Sequence, residues 1–485
     1  MANFSTIFKC SFFTGLRAFS SISSSPSTDQ NLVSVAVSIL KYQSSRTRWS
    51  YIRSLLTSTT DGGSTGLTPS QFSEIILQLR NDPHLALRFF SFTVQHSLCS
   101  HSLSSYATII HILSRSRLKR DAKRLIHSAI RKFPVPNSSS PPPIFETLIK
   151  TYRLCDSAPF VFDLLIKACI ESKRIHQAIR IVRMLRTKNI YPRISTCNPL
   201  IELVSKSQGC FAGYELYKEI FWLDRENDKG LRGPDLNPDT FNVIMVGFYR
   251  EGLVERVEEV WGEMARVDCV PNAYSFSILM ASYCDNERIE DAVRIWQEMH
   301  DKRIRCDIVA YNTIIDGFCK IGEVGRAEEI LREMELAGVE STCVTFEHLI
   351  NGYCKAGDVD SAILLYNDMC RKGFRPENST VDAIIALLCN NNKVSVGLEI
   401  LSTALKKYNS FPAKRSYVFL IKGFCQEGNM EEAMKLQAEM VGKGYEPDEE
   451  IYEAFIDGHM KQGNEEMAHT LRMEMLRTQI PDGED

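Results

Sequence analysis

The chain has 485 residues, 44% hydrophobic and 24% charged, which excludes wholesale disorder. Its longest apolar stretches fall well short of the roughly 18 residues that cross a bilayer, so a transmembrane helix is excluded. The formal net charge of -3 conceals a split: residues 238–485 carry 26 basic and 44 acidic side chains (-18), and residues 1–237 carry the balancing +15. On charge alone the first half is the better surface for a polyanion, although part of that excess belongs to a removable leader.

That leader spans residues 1–60, with one acid (Asp29), six basic residues and fifteen serines. This is the composition of an organelle transit peptide. Phe4, Phe8, Phe12 and Phe19 can gather on one side of a short helix, and Arg17-Ala18-Phe19-Ser20-Ser21 resembles a plant mitochondrial cleavage site. The expected destination is the mitochondrion, with the plastid as the alternative. Residues 67–158 read as weaker, degenerate helical repeats, interrupted by a Pro/Ser-rich loop at 134–143.

From residue 159 the chain repeats itself at a period of about 35 residues. Cys284, Cys319, Cys354 and Cys389 fall at that interval, and Cys425 follows one residue late. Methionine recurs at 264, 299, 334 and 369, and alanine at 292, 327 and 362. In YNTIIDGFCK, residues Tyr311, Ile314, Ile315, Phe318 and Cys319 form one apolar stripe of an α-helix. Gly322 then allows a sharp exit, and Ala327, Ile330, Leu331 and Met334 form a second stripe. Neither helix can bury its stripe alone, so the units must stack.

The expected fold class is all-α: a right-handed superhelical solenoid of stacked antiparallel two-helix repeats. Nine units of about 35 residues occupy 159–485, starting at Pro159, Ile194, Pro238, Ala273, Ile308, Cys343, Asn378, Lys414 and Glu449, with an insertion near 221–237. The repeat-locked cysteines lie on the buried stripe, where a thiol behaves as a small hydrophobe. Fifteen cysteines without a C-x-x-C pair give no zinc framework, and the His96, Cys99, His101 cluster lacks a fourth ligand. No metal and no cofactor is expected.

The segments YNTIIDGFCK, HLINGYCKAGD and MCRKGFRPE resemble pentatricopeptide repeats, and the uniform spacing resembles the P-type subclass of plant organellar proteins. The resemblance implies single-stranded organellar RNA as partner, one base per repeat, read by the fifth residue of a unit and its last. The pairs are Asn198 with Asn237, Asn242 with Asn272, Ser277 with Asp307, and Asn312 with Thr342. The first two resemble pyrimidine readers and the third a guanine reader. Asn237, Asn272 and Asp307 also suit ordinary helix caps, and the two roles are compatible.

The resemblance also assigns backbone phosphate contact to the thirteenth place, occupied by Lys206, Arg250, Lys320, Lys355 and Lys461. From Cys343 onward the base-facing pairs turn acidic or apolar (Glu347 with Glu377, Asp382 with Ala413, Val418 with Asp448), and Asp163 with Arg193 is also outside the code. Unpaired carboxylates repel RNA, so contact is expected in residues 194–342. The acidic C-terminal units would then be scaffold or a protein-docking surface. The alternative function is a helical-repeat interaction scaffold of the ribosome-associated kind, with no membrane role. No phosphate-binding glycine loop, H-E-x-x-H, nucleophile elbow or zinc-deaminase signature is present, so no enzymatic activity is expected.

Overall fold

The computed structural model describes residues 28–43, 47–58, 66–134, 142–188, 190–221, 236–408 and 413–479. The cleavage-site motif, most of the Pro/Ser-rich loop and most of the insertion near 221–237 lie outside them. Among the described residues the regular secondary structure is helical throughout. The chain forms two compact units, Met1–Leu236 and Asn237–Asp485, each taken here by itself.

Among the described residues the second unit holds seven helical hairpins. Their first helices are α12 (Pro238–Arg250), α14 (Ala273–Asp285), α16 (Ile308–Lys320), α18 (Cys343–Ala356), α20 (Asn378–Asn390), α22 (Lys414–Glu427) and α24 (Glu449–Lys461). Each is followed by its second helix: α13 (Val254–Arg266), α15 (Ile289–Asp301), α17 (Val324–Leu336), α19 (Val359–Arg371), α21 (Val394–Tyr408), α23 (Met430–Gly442) and α25 (Glu465–Gln479). Every first helix packs on its own second helix, and every one but the last on the first helix of the next hairpin. This is the arrangement that two one-sided stripes demand, since each stripe is covered only when both neighbours are present.

The periodic residues of the sequence form the core. Ala292, Ala327, Ala362 and Ala433 are wholly buried where the helices of a hairpin cross, and Met264, Met299, Met334, Met369 and Met440 are wholly buried beside them. Cys284, Cys319, Cys389 and Cys425 at the twelfth position pack against a glycine at the tenth position of the next first helix, whereas half-buried Cys354 is followed by Leu387 at that place. A Cβ on Gly352 would sit 2.8 Å from Cys319 Sγ, and one on Gly458 would lie 2.7 Å from Met430 Sδ. Burial pushes the thiols of Cys284, Cys319, Cys389 and Cys425 up to about 12, so they stay protonated apolar groups. Gly352→Val is expected to cost about 2–3 kcal/mol through overpacking, read as a lower urea midpoint with an unchanged m-value.

The turn inside each hairpin needs one left-handed residue. Gly322 (φ 83°) supplies it without strain, whereas Glu287 (φ 59°) and Asn392 (φ 56°) adopt it with a side chain.

The first unit holds α1 (Thr28–Tyr42), α2 (Arg48–Ser58), α3 (Pro69–Gln78), α4 (Pro83–Gln95), α5 (Leu103–Arg115), α6 (Lys119–Lys132), α7 (Pro143–Thr151), α8 (Phe160–Glu171), α9 (Ile175–Arg186), α10 (Ile194–Gln208) and α11 (Cys210–Phe221). Here the alternation breaks. Helix α7 packs on α5 as the first helix of a hairpin would, but the chain runs straight on to α8, which packs on both α6 and α9. One second helix is missing, so the beginning of α8 meets the α5–α6 turn. His101 belongs to the core of this unit: its Nε2 lies 3.1 Å from Thr93 Oγ1, and its ring stands edge-on to Phe72 at 4.5 Å. Among the described residues no group of three or more His, Cys, Asp or Glu side chains is placed to hold a metal ion.

Candidate nucleic-acid interface

The polar residues at the two specified positions meet at the junction between hairpins, where the first helices begin. The last residue of a unit caps the next first helix. Asn237 Oδ1 accepts from Thr240 N–H at 3.1 Å, Asn272 Oδ1 from Ser275 N–H at 2.9 Å, and Asp307 Oδ1 from Ala310 N–H at 2.9 Å. Thr342 N–H donates to Thr345 Oγ1 at 3.0 Å. Side-chain capping is therefore a role that Asn237, Asn272 and Asp307 fulfil, whatever else they do, while Thr342 stands at the same N-terminal place with its own N–H held by Thr345.

The fifth residues follow a second regularity, one that single-unit reasoning missed. Five of them, Asn242, Asn312, Asp382, Glu347 and Asp163, offer an oxygen to the start of the following first helix. Ser275 Oγ donates to Asn242 Oδ1 at 2.7 Å, while Asn242 Nδ2 donates to Asn272 Oδ1 at 3.2 Å. Thr345 Oγ1 donates to Asn312 Oδ1 at 2.7 Å, and Ser416 Oγ donates to Asp382 Oδ1. At two other joints the following helix carries a threonine at that place (Thr380, Thr196), but the acid takes a backbone N–H instead: Glu377 N–H donates to Glu347 Oε1 at 2.9 Å, and Arg193 N–H to Asp163 Oδ1 at 2.9 Å. At these five joints the fifth position is thus a clasp between consecutive hairpins.

Two expectations require correction on this account. Asn242 and Ser277 do not stand open to a base edge: they are only 4% and 3% exposed, and Ser277 Oγ donates to Ala273 O at 3.0 Å within its own helix. Asn198 and Asn312 are half-buried, and Asp307 is exposed. Nor is Glu347 an unpaired carboxylate turned toward solvent. It is 7% exposed and accepts from both Glu377 N–H and the Cys343 thiol, at the end of a helix whose free N–H groups favour an anion. Buried Asp163 is held in the same way. Acidity at the fifth position therefore does not by itself separate RNA-binding units from others.

The thirteenth-position cations divide into two groups. Lys320 Nζ lies 2.5 Å from Asp285 Oδ1 and 2.6 Å from Asp316 Oδ2, and Asp316 is bridged to His348 Nδ1 at 2.9 Å. Tyr249 O–H donates to Asp285 at 2.7 Å, so one polar network ties four successive first helices together. Two carboxylates around one ammonium leave no net positive field, which corrects the expectation of a phosphate contact at Lys320. Lys206 pairs with Glu202 at 2.6 Å. Arg250, Lys355 and Lys461 are exposed, with no ion pair among the described residues. Lys355 also lines a cavity of about 400 Å³ with Asp316 and His348.

The structure adds residues that were not singled out from the sequence. At the second position of three consecutive units, Tyr274, Val309 and Val344 are 48%, 49% and 45% exposed. Their 35-residue spacing was present in the sequence. Only their exposure at the same place in three consecutive units marks them as a surface row.

Repeat profiles of the PPR repeat family match residues 237–284 and 341–390, with further matches at 302–335, 274–304 and 415–445. The chain is 51% identical over 467 residues to the pentatricopeptide repeat-containing protein At2g15980 of Arabidopsis thaliana, spanning 94% of this chain and 92% of that protein. It is 28% identical over 124 residues to At4g26680, a mitochondrial pentatricopeptide repeat-containing protein of the same plant, covering 26% of this chain and 23% of that one. The solved structure of PPR10 with an 18-nucleotide psaJ RNA element aligns over 99% of this chain and 78% of its own, at 15% identity and a TM-score of 0.41. This chain belongs to the pentatricopeptide repeat family.

Proposed function

We propose that this chain binds single-stranded RNA along the edge where its first helices begin, and acts in the mitochondrion on the stability, processing or translation of a transcript. The observation that carries the reading is the row of exposed Tyr274, Val309 and Val344 at unit spacing, beside Asp307, Asn312 and Thr342. Apolar faces at regular intervals accept stacked bases, and polar caps with a lone pair or N–H to spare can address base edges. Contact at Asp307, Tyr274, Val309 and Val344 is direct. At Asn242, Ser277 and Asn312 a base must first displace the bonds just described. A leader rich in serine and poor in acids supports the organelle. Binding alone performs the function, by shielding an end from nucleases or holding a hairpin open.

The test is the salt dependence of binding to a 20-nucleotide single-stranded RNA of mixed sequence. Three unpaired cations give an expected slope of log affinity against log salt of about -2, from about -0.7 per phosphate contact. A flat response overturns the RNA reading. It would favour a protein scaffold instead, for which exposed Glu255, Glu259, Glu290 and Glu329 on the second helices provide an acidic surface.

A further inference from the structure

The positive charge of the first half is not spread along it. Between Arg115 and Arg193 there are eighteen basic and five acidic residues, a net +13, so almost all of the excess sits in this one stretch. Much of it lies on the second helices α6 and α9, not on the first-helix edge described above. On α6, Arg120, Arg124, His127 and Arg131 stand at i, i+4, i+7 and i+11, which is a single face, and the opposite face holds buried Ala122, Leu125, Ile126 and Ala129. On α9 the same places carry His176, Arg180 and Arg183, opposite buried Ala178, Ile181 and Leu185. The two helices make one surface. Glu171, which ends α8, pairs with Lys123 and with His127 Nε2 at 3.1 Å, and Ser172 Oγ lies 3.3 Å from His127 Nδ1, so the turn into α9 is fastened to the middle of α6.

A solvated helix face has no need of this composition. The equivalent eight places on α13 and α15 of the second unit hold four acids (Glu255, Glu259, Glu290 and Asp301) and two arginines, whereas on α6 and α9 they hold five arginines, two histidines, a threonine and no acid. Neighbouring acids offset part of the charge: Asp121 pairs with Arg124, Glu171 with Lys123, and Glu219 with Arg183 at 2.7 Å. Those pairs are open to water, where they are weak. Exposed Arg120, Arg131, Lys173 and Lys188 have no ion pair among the described residues.

The chemistry selects the partner. Arginine dominates, and its planar fork fits two oxygens of a phosphate. From Arg120 to Arg131 the face runs about 16 Å along the helix, room for several phosphates of a rigid backbone. Among the described residues no large exposed apolar side chain lies on α6 or α9, so the face offers nothing on which the bases of a single strand could stack and nothing to insert into a bilayer. A duplex asks for neither, because its bases are already stacked and its phosphates stand outward in fixed rows. We propose that the outer face of α6 and α9 binds the phosphate backbone of double-stranded RNA without reading its sequence. The inference goes beyond the single-strand reading, uses different helices, and stands or falls without it.

Affinities of the full chain are measured for an RNA duplex of mixed sequence, for the single strand used above, and for vesicles of phosphatidylcholine and phosphatidylserine, in the parent and in the triple variant Arg120→Gln, Arg131→Gln, Lys173→Asn. Glutamine keeps the helix, and asparagine tolerates the left-handed turn at Lys173 (φ 56°); melting curves establish that the variants fold. The expected result is a duplex affinity lowered about a hundred-fold at 0.15 M salt and a salt slope shallower by about 3, from about 0.9 per phosphate contact, with the single strand bound as by the parent. A control lacking three exposed cations elsewhere in the unit, Arg80→Gln, Arg88→Gln, Arg153→Gln, should hold the duplex nearly as the parent does. A duplex bound equally by parent and triple variant, or by neither, overturns the proposal; if the variant at the same time loses vesicles that the parent binds, the face belongs to a lipid surface. An equal loss in the control, or an equal loss for the single strand, overturns it as well. The single-strand reading is decided separately, by the salt response of the parent with the single strand.

Discussion

Replacing Arg250, Lys355 and Lys461 together by alanine is expected to weaken binding of single-stranded RNA about fifty-fold at 0.15 M salt and to remove most of its salt dependence. The figure follows from three phosphate contacts at about 0.7 log units each per decade of salt, taken from a 1 M reference. All three side chains are exposed, so their loss should leave the melting temperature nearly unchanged. Lys320→Ala is the informative control. Its ammonium is committed to Asp285 and Asp316, so the salt slope should not change, but the chain should lose stability as two carboxylates lose their partner. If Lys320→Ala reduces the slope as much as Lys355→Ala does, the division of the cations into committed and available groups is wrong.

Lowering the pH from 7 to 4.5 is expected to open the first unit while the second stays folded. His101 and His111 are 5% and 0% exposed, and no described histidine of the second unit is buried. Burial drives both imidazoles down to about 4; Lys132 adds to this at His101, while the hydrogen bond to Leu148 O opposes it at His111. In the unfolded chain both titrate near 6.5, so between pH 6.5 and 4 the unfolded state binds more protons and stability falls with pH. The contribution is complete above 6.5, and nothing further is lost below 4. Each histidine accounts for on the order of 3 kcal/mol across that window. Hydrogen exchange, corrected for intrinsic rates, should show lost protection in α5 and α7 before α16 and α18. Equal protection of the four helices at pH 4.5 would refute the assignment.

The class of fold was legible because a 35-residue period in three residue types, with two apolar stripes per period, admits few structures other than stacked hairpins. Cysteine, alanine and methionine recur where helices cross and only small or pliable side chains fit. The interface was less legible, for a physical reason. A side chain such as Asn312 looks available when its own helix is considered, but its oxygen is taken by Thr345, thirty-three residues away on the next helix. Glu347 and Lys320 misled in the same way. A charge is visible in a sequence, and the N–H or carboxylate that neutralises it from a neighbouring unit is not. The skipped helix after α7 was hidden because the 67–158 region carries no clean period against which an omission could register.

The clasp at the fifth position has a consequence for anyone who would recombine these units. A hairpin lifted from this chain into another array takes the acceptor of Asn312 with it and leaves the hydroxyl of Thr345 behind, so half a bond is transplanted. Retargeting by exchanging single residues would disturb the joint as well as the readout. The natural unit of exchange runs from the middle of one hairpin to the middle of the next, with Asn242 and Ser275, Asn312 and Thr345, or Asp382 and Ser416 moved as couples.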